Sequence, residues 1–373
     1  MPDAFRRIVF TGDVLRPAEV AFRAGQTENI QWFHRLFRVH AAEATGLPVE
    51  CATWGEGFDT EAAYDHWGVE RSWRGWAEIC DTAIAPEGVL RVFDEAYGGA
   101  VVIGFELSET AKRVLSVLGV PFLDFSIHPV RFLDDVFFAI QTNDPAVFEA
   151  MLPYHAESAG FHGAAGLLAA SALKFLPNLR LQSDRLLVGQ TRVDRSLVRG
   201  GRVLDLSDFA TTLRAAAAPT GRIAFKPHPY ASGDFGLLAL GLPLAVVERT
   251  NANIYALLAS GDVREVIGVS SSVLLEARYF GVPARWLLGS PFDIPDSIAE
   301  AQPGQHLSVV DAAFDVDFWR ECLAPLVPVT ACDGQRWRRP PNSLRMSLRN
   351  FWGFNELSTD FMVAIRRPDG PVR

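Results

Sequence analysis

The sequence predicts an α/β protein with two domains of the nucleotide-binding type, and three observations lead to this fold class. Short apolar runs, typical of buried parallel strands, alternate with segments of helical apolar spacing. The chain has 373 residues, 49% of them hydrophobic, which is long for one core and sufficient for two. In both halves, polar residues directly follow the predicted strands, at the edge where open α/β sheets bind ligands.

Composition excludes several classes of protein and partner. The net charge of −9 argues against nucleic acid as a partner, and the high hydrophobic content argues against disorder. The N-terminus lacks the apolar core of a secretory signal, and no apolar run reaches transmembrane length, so we expect a cytoplasmic protein. We expect reduced thiols rather than disulfides or a zinc site, because no two cysteines form a CxxC pair. The four cysteines are Cys51, Cys80, Cys322 and Cys332.

The first domain is predicted over residues 1–180. Its elements are expected to be, in order, a strand at 8–10, a helix at 29–40, a strand at 100–105, a helix at 109–118, a strand at 119–126 and a helical region over 144–175. A tryptophan-rich stretch at residues 53–80 predicts aromatic packing of a helical insertion, and a saccharide-binding wall is the alternative.

The second domain is predicted over residues 181–335. Its elements are expected to be, in order, a strand at 185–189, a helix at 206–217, strands at 222–226, 244–247 and about 266–269, and a helix at 273–280 closed by Gly281. Residues 336–373 are predicted to form a C-terminal helical segment that crosses back to the first domain.

The motif Lys226-Pro227-His228-Pro229, at the exit of a strand, is the strongest single signal. Two prolines fix the backbone and remove its donors, so the imidazole is expected on a stiff loop at the sheet edge. Such a group suits contact with a phosphate or a departing phosphate oxygen. The alternative is a histidine that packs in a turn. Lys226 and Pro229 are grouped with His228 as nucleotide contacts, although a strand lysine can equally face solvent.

Three consecutive serines, Ser270, Ser271 and Ser272, precede a predicted helix. Their hydroxyl groups can cap the helix, and the free N–H groups of a helix start favour a phosphate. Because one serine is enough for a cap, the run indicates a ligand as well. Glu276, one turn further, is expected either to cap the first turn or to accept ribose hydroxyls.

Carboxylates follow strands in both halves of the chain. Asp194 lies just beyond a strand and is a candidate nucleophile toward an anomeric carbon. The alternative is a turn aspartate paired with Arg192 or Arg195. Glu106 ends a strand of the first half and is a candidate acid/base toward an acceptor hydroxyl, or else the cap of the next helix.

A second polar cluster is predicted to contact the sugar or acceptor. Asp124, His128 and Arg131 follow a strand of the first half, and an arginine suits the carboxylate of an acidic sugar. The pair Asp134-Asp135 resembles a metal site only superficially, because a helix over residues 132–140 would point the two carboxylates apart. We expect neither a metal nor another cofactor.

Taken together, these motifs resemble bacterial β-Kdo transferases of the capsule and lipopolysaccharide type. The resemblance is strongest over residues 185–285 and weaker at 104–106 and 127–129. The residues that carry it are Gly189-Gln190 with Asp194 and Ser196, residues 226–229, the three serines, Leu275-Glu276-Ala277 and Phe280-Gly281-Val282-Pro283. The family is similar in its nucleotide site to bacterial sialyltransferases and polysialyltransferases.

The resemblance implies GT-B architecture, with two Rossmann-like domains that face each other across a central cleft. It implies a CMP-Kdo donor in the C-terminal domain and a glycan or lipid-linked oligosaccharide acceptor in the N-terminal one. It further implies retention through a covalent adduct on Asp194, with Gln190, His228 and the serines at the nucleotide and without a metal. The expected setting is O-antigen or capsule synthesis, beside other polysaccharide-assembly enzymes, in the cytoplasm or at the inner face of its membrane.

Three alternatives stay open at this point. The sugar is sialic acid or another CMP-activated ulosonic acid, or the chain is an isomerase similar to UDP-GlcNAc 2-epimerases, or it is a glycan-binding relative without activity. Stabilisation by CMP rather than UDP separates the transferases from the epimerase. An Asp194→Asn chain that keeps its function would indicate the binding protein.

Overall fold

The computed structural model describes residues 5–18, 25–80, 84–172, 181–190, 194–217, 222–228, 247–331 and 340–352. In chain order the strands in these ranges are β1 (Arg7–Gly12), β2 (Val49–Cys51), β3 (Thr53–Trp54), β4 (Gly57–Phe58), β5 (Ala100–Phe105), β6 (Phe122–Ile127), β7 (Phe138–Thr142), β8 (Arg185–Val188), β9 (Val198–Arg199), β10 (Arg202–Val203), β11 (Ile223–Lys226), β12 (Val247–Arg249), β13 (Glu265–Gly268), β14 (Ala284–Trp286) and β15 (Leu307–Val309).

The α-helices of the same ranges are α1 (Thr27–Thr45), α2 (Thr60–Trp67), α3 (Trp73–Cys80), α4 (Glu87–Tyr97), α5 (Glu109–Val117), α6 (Pro145–Met151), α7 (Ser158–Ala172), α8 (Ala210–Ala217), α9 (Ile254–Ala259), α10 (Ser272–Ala277), α11 (Val316–Leu323) and α12 (Ser343–Trp352). Two short 3₁₀ turns matter below: Arg195–Leu197 precedes β9, and Arg278–Phe280 extends α10.

The first sheet has the strand order β15-β7-β6-β5-β1-β2. The strands β6, β5, β1 and β2 are parallel, whereas β7 and β15 pair antiparallel at one edge. Side chains of β5 alternate between two cores, since Val101 and Ile103 pack on one face and Val102 on the other. Burial on both faces explains why this strand is a continuous apolar run in the sequence.

The second sheet has the order β12-β11-β8-β13-β14, and all of its pairs are parallel. It too is buried on both faces: Leu186 and Val266 belong to one core, and Leu187 and Ile267 to the other. The predicted fold class is therefore confirmed: the chain is an α/β protein of the GT-B type with two Rossmann-like sheets.

The path of the chain between the sheets differs from the prediction in three places. Residues 132–140 do not form a helix, because the apolar end of this stretch is the strand β7. Helix α7, expected to end the first domain, packs against α9 and the turn Arg278–Phe280 of the second. The chain returns to the first sheet at β15, well before the predicted boundary at residue 335. The other predicted boundary, at residue 180, lies outside the described residues.

Helix α12 packs on the first domain. Leu344 and Leu348 lie in the same core as α1 and α11, and the Trp32 indole donates to Ser347 Oγ at 3.0 Å. The Asp135 carboxylate accepts from the backbone N–H groups of Arg345 at 2.7 Å and Leu344 at 3.2 Å. Asp135 therefore satisfies two of the donors that the start of a helix leaves without partners.

This capping contact predicts a stability difference between two adjacent aspartates. Asp135→Ala should lower the free energy of unfolding by about 1 kcal/mol, because it removes the cap. Asp134→Ala is the matched control: Asp134 is exposed, so the change should stay within about 0.5 kcal/mol. Urea unfolding of both variants measures the difference, and equal stabilities would contradict the assignment.

Candidate active site

The strand order of the second sheet places a crevice between β8 and β13. From β8 the chain passes through α8 to β11 on one side, and β13 lies on the other side of β8. Ligands of open α/β sheets bind at the carboxyl ends of such a pair of strands. Gln190 follows the end of β8, and Ser270 follows the end of β13, so both side chains belong to this edge.

A continuous hydrogen-bond network joins the two strand ends. The Gln190 side-chain amide donates to Ser270 Oγ at 2.7 Å and accepts from the Ser270 N–H at 3.1 Å. The same amide donates to Ser196 Oγ at 3.0 Å, and Ser270 Oγ donates to Ser196 Oγ at 2.9 Å. Gln190 and Ser196, which belong to one motif, are therefore in direct contact with Ser270 of another.

Asp194 is oriented by the same network. Its Oδ1 accepts from the Ser196 N–H at 2.9 Å and from the Ser196 hydroxyl at 2.8 Å. Asp194 precedes the 3₁₀ turn Arg195–Leu197 and lies in extended backbone, as N-cap residues do. One carboxylate oxygen of Asp194 is thus held by two donors of the same residue.

His228 follows β11, the strand on the other side of β8. The Gly189 N–H donates to the Lys226 carbonyl at 2.8 Å, and a Cβ at Gly189 would lie 2.9 Å from the His228 nitrogen. Only glycine permits this approach of the two loops. Burial lowers the pKa of His228 and the Lys226 charge lowers it further, while Asp194 opposes both, so the imidazole is neutral at neutral pH. Pro229 lies outside the described residues.

The two remaining serines start helix α10. Ser271 is its N-cap in extended backbone, but its side chain makes no capping hydrogen bond, and Ser272 is the first helical residue. Both side chains are half-buried. The Ser271 hydroxyl therefore does not form the capping hydrogen bond that one of the serines was expected to form.

Glu106 lies at the matching position of the first sheet. In this sheet β1 and β5 are adjacent. The chain continues from β1 to β2 on one side and from β5 to β6 on the other, and Glu106 directly follows β5. Its backbone has a φ of 55°, in the left-handed region that non-glycine residues rarely adopt. Burial raises the pKa of Glu106, the guanidinium groups of Arg195 and Arg16 oppose this rise, and the Asp194 carboxylate adds to it. The charge of Asp194, in the second domain, therefore acts on Glu106, in the first.

Two predicted sugar contacts lie inside the protein instead. Asp124 is 1% exposed; it pairs with Lys112 Nζ at 2.9 Å and accepts from the Leu107 N–H at 2.9 Å. His128 is 0% exposed; its ring stacks on Phe137, Nδ1 accepts from the Val130 N–H, and Nε2 lies 3.0 Å from Ser308 Oγ. Neither side chain has surface for a ligand. The prediction that Asp124 and His128 contact the sugar is therefore wrong, and both residues contribute to packing instead.

Glu276 and Arg131 meet each other at the domain interface. The Glu276 carboxylate is 1% exposed and accepts from the Arg131 N–H at 2.6 Å and the Tyr255 hydroxyl at 3.0 Å. Glu276 therefore faces the first domain rather than a ribose. The Arg131 guanidinium carries a buried Nη1 without a hydrogen-bond partner, and the Glu106 charge acts on it.

The sequence interpretation missed three polar residues near Glu106, namely Asp13, Arg16 and Arg195. Asp13 accepts from the Trp76 indole at 3.0 Å, and the Arg16 guanidinium lies 5.3 Å from the Trp76 ring centroid. Asp13 directly follows the strand β1, and that position was a usable signal. Trp76 is 0% exposed, so it packs in the core and is not part of a saccharide-binding wall.

Comparison with known proteins finds no matching family model and no matching curated protein. Several solved structures are similar, and two of them are KpsC of Thermosulfurimonas dismutans. One, a beta Kdo 2,7 transferase, has a TM-score of 0.33 at 13% identity and covers 64% of this chain and 81% of its own. The other, a beta Kdo 2,4 transferase, has a TM-score of 0.31 at 14% identity and covers 64% and 80%. Likeness at these values identifies no activity.

The described residues contain neither a membrane-spanning helix nor a cluster of metal ligands. No helix in them is both long and apolar enough to cross a membrane. No group of three or more histidine, cysteine, aspartate or glutamate side chains in them has the arrangement of a metal site.

Glu276 predicts a pH-dependent stability. Burial raises its pKa from 4.5 to about 7. Between these values the folded chain keeps a proton that the unfolded chain has lost, so the free energy of unfolding falls as the pH rises. Above this window the ionised group costs about 3 kcal/mol.

Glu276→Gln should remove this pH dependence, because an amide oxygen can still accept from Arg131 and Tyr255. Urea unfolding on both sides of the pH window measures it. Glu95→Gln, at an exposed glutamate, should keep the dependence of the natural chain. A Glu276→Gln protein with the original pH slope would show that another group is responsible.

Proposed function

We propose that this protein is a retaining glycosyltransferase that moves Kdo from CMP-Kdo to a glycan acceptor through a covalent adduct on Asp194. The single observation that carries this proposal is the network in which Gln190, Ser196 and Ser270 orient the Asp194 carboxylate at the crevice of the second sheet. A carboxylate held beside a nucleotide-type crevice, with a second carboxylate across the cleft, is the arrangement that double displacement requires.

In the first step, the Asp194 carboxylate attacks the anomeric carbon of the donor sugar. The bond from that carbon to the phosphate oxygen breaks, and CMP leaves with the electron pair. We assign the phosphate to the half-buried side chains of His228, Ser271 and Ser272, with Lys226 at the end of β11 adding positive charge. A neutral imidazole can donate one N–H to the departing oxygen.

In the second step, Glu106 takes the proton of the acceptor hydroxyl. The acceptor oxygen attacks the anomeric carbon, the bond to Asp194 breaks, and the carboxylate is restored. Two inversions at one carbon give net retention. The raised pKa of Glu106 makes its carboxylate a stronger base than an exposed one. Arg131, which is half-buried, stays the proposed partner of the sugar carboxylate.

This assignment fits a glycan or lipid-linked oligosaccharide acceptor in O-antigen or capsule synthesis, together with other polysaccharide-assembly enzymes. No step in it needs a metal ion or another cofactor. The same residues would also accept another CMP-activated ulosonic acid, because the carboxylate and the anomeric centre are common to that class.

The nucleophile is tested by mass spectrometry of the whole protein after incubation with CMP-Kdo. We expect the mass of one sugar residue to be added to the natural chain and to Asp262→Asn, a control at an exposed aspartate. Asp194→Asn should show no normal adduct and should lose turnover by about 10³-fold or more. An Asp194→Ala protein that still turns over would refute the assignment.

The nucleotide is tested by thermal unfolding with CMP and with UDP. CMP at about 100 times its Kd should stabilise the protein by about 2.7 kcal/mol, whereas UDP should not. His228→Ala should weaken the CMP effect, because it removes a phosphate contact. Stabilisation by UDP alone would favour the epimerase alternative.

A further inference from the structure

Arg195 connects the two loops that carry the proposed nucleophile and the proposed base. It follows Asp194 in the chain, yet its side chain reaches into the first domain, where Nη1 donates to the Leu107 carbonyl. Leu107 in turn follows Glu106. One side chain of the second domain is thus bonded to the backbone beside Glu106, while its own backbone neighbour is Asp194.

The Glu106 loop is held from several sides in an uncommon backbone conformation. In the described ranges, Glu106 and Asn342 are the non-glycine residues with positive φ. The Glu106 N–H donates to the Phe125 carbonyl at 2.9 Å, and the Leu107 N–H donates to Asp124 Oδ1 at 2.9 Å. Both bonds come from the first domain, and the bond from Arg195 adds a third from the second. Such conformations persist where the surroundings fix them, often at functional sites.

The charges around Arg195 also link this residue of the second domain to the first domain. Burial alone would lower the pKa of Arg195, but four carboxylates of the first domain outweigh it and raise that pKa: Asp124, Glu106, Glu109 and Asp13. Lys112 pairs directly with two of these acids, Glu109 and Asp124. Arg195 is therefore a cation of the second domain inserted into an acidic edge of the first. Its charge also offsets the repulsion between Asp194 and Glu106.

We propose that Arg195 is a positioning residue that holds the Glu106 and Asp194 loops in register across the cleft, and that it acts mainly in the second displacement. This inference rests on the proposed function, because it assigns Arg195 to the reaction of the adduct. It adds no chemical step: the proton of the attacking hydroxyl still goes to Glu106, and the bond that breaks still joins the sugar to Asp194.

The test uses the full chain and CMP-Kdo, with water as the attacking hydroxyl. Rapid mixing separates the burst of CMP, which reports formation of the adduct, from the slow release of free sugar, which reports its decay. Arg195→Gln should keep the burst, because Ser196 still orients Asp194. Decay should slow by about 10²-fold, because the base is displaced.

The pH profile of adduct decay separates positioning from a merely structural role. The charged groups that act on Glu106 are Arg195, Arg16, Asp194 and Arg131. Decay should rise with pH as Glu106 loses its proton, and loss of the Arg195 charge should move this rise to higher pH. Arg195→Lys keeps the charge, so it should keep the original pH position while recovering only part of the rate. Arg199→Gln, at an exposed arginine nearby, should match the natural chain in both readouts.

Each result has one meaning. Adduct decay in Arg195→Gln at the natural rate and pH position would overturn the positioning role while leaving the transferase intact. Absence of both CMP release and a sugar adduct in the natural chain would instead overturn the proposed function. If Arg195→Gln does not fold, as judged by its unfolding midpoint, Arg195→Lys decides the question: a slowed decay supports the role, and a natural rate overturns it.

Discussion

The contact between the Gln190 side chain and Ser270 is the interaction on which the candidate site depends. The strands β8 and β13 are adjacent, but the helices that follow them, α8 and α10, pack into different cores on opposite faces of the sheet. An opening between the two loops results. The Gln190 amide spans it with a donor and an acceptor, and Ser196 extends the network to Asp194. The position of the Asp194 carboxylate thus depends on a contact between the loops after two adjacent strands.

The sequence was sufficient where local pattern and strand topology decide the outcome. The strand β5 has the predicted bounds because it is buried on both faces, and Gln190, Asp194 and Ser270 meet because loops after parallel strands share one edge. It was insufficient where distant partners decide. The apolar stretch before Thr142 fits a helix or a strand, and its pairing with β6 and β15 settles the choice. His128 follows a strand as expected, but Ser308 and Phe137 hold its ring inside.

Charged groups of both domains determine the pKa values of the carboxyl groups at the edge of the first sheet. On the first sheet, Asp13 is buried and Glu106 is half-buried, and desolvation raises the pKa of both carboxyl groups. The cations that oppose this rise come from both sides, since Arg16 belongs to the first domain and Arg195 to the second. A sequence pattern identifies each group on its strand or loop. It does not contain the separation between loops of different domains, which depends on how the two sheets face each other.

The return of the chain at β15 makes the second sheet an insertion within the first. Strands before residue 143 and the segment after residue 306 build one sheet, so two covalent connections, rather than one, link the halves. A single proteolytic cut between them would leave the halves tethered. A fragment that ended near residue 180 would lack β15 and α11, which would expose the edge of β7 and the apolar surface of α1 and α6. The amino-terminal half is therefore not an autonomous folding unit, and opening of the cleft must bend both tethers at once.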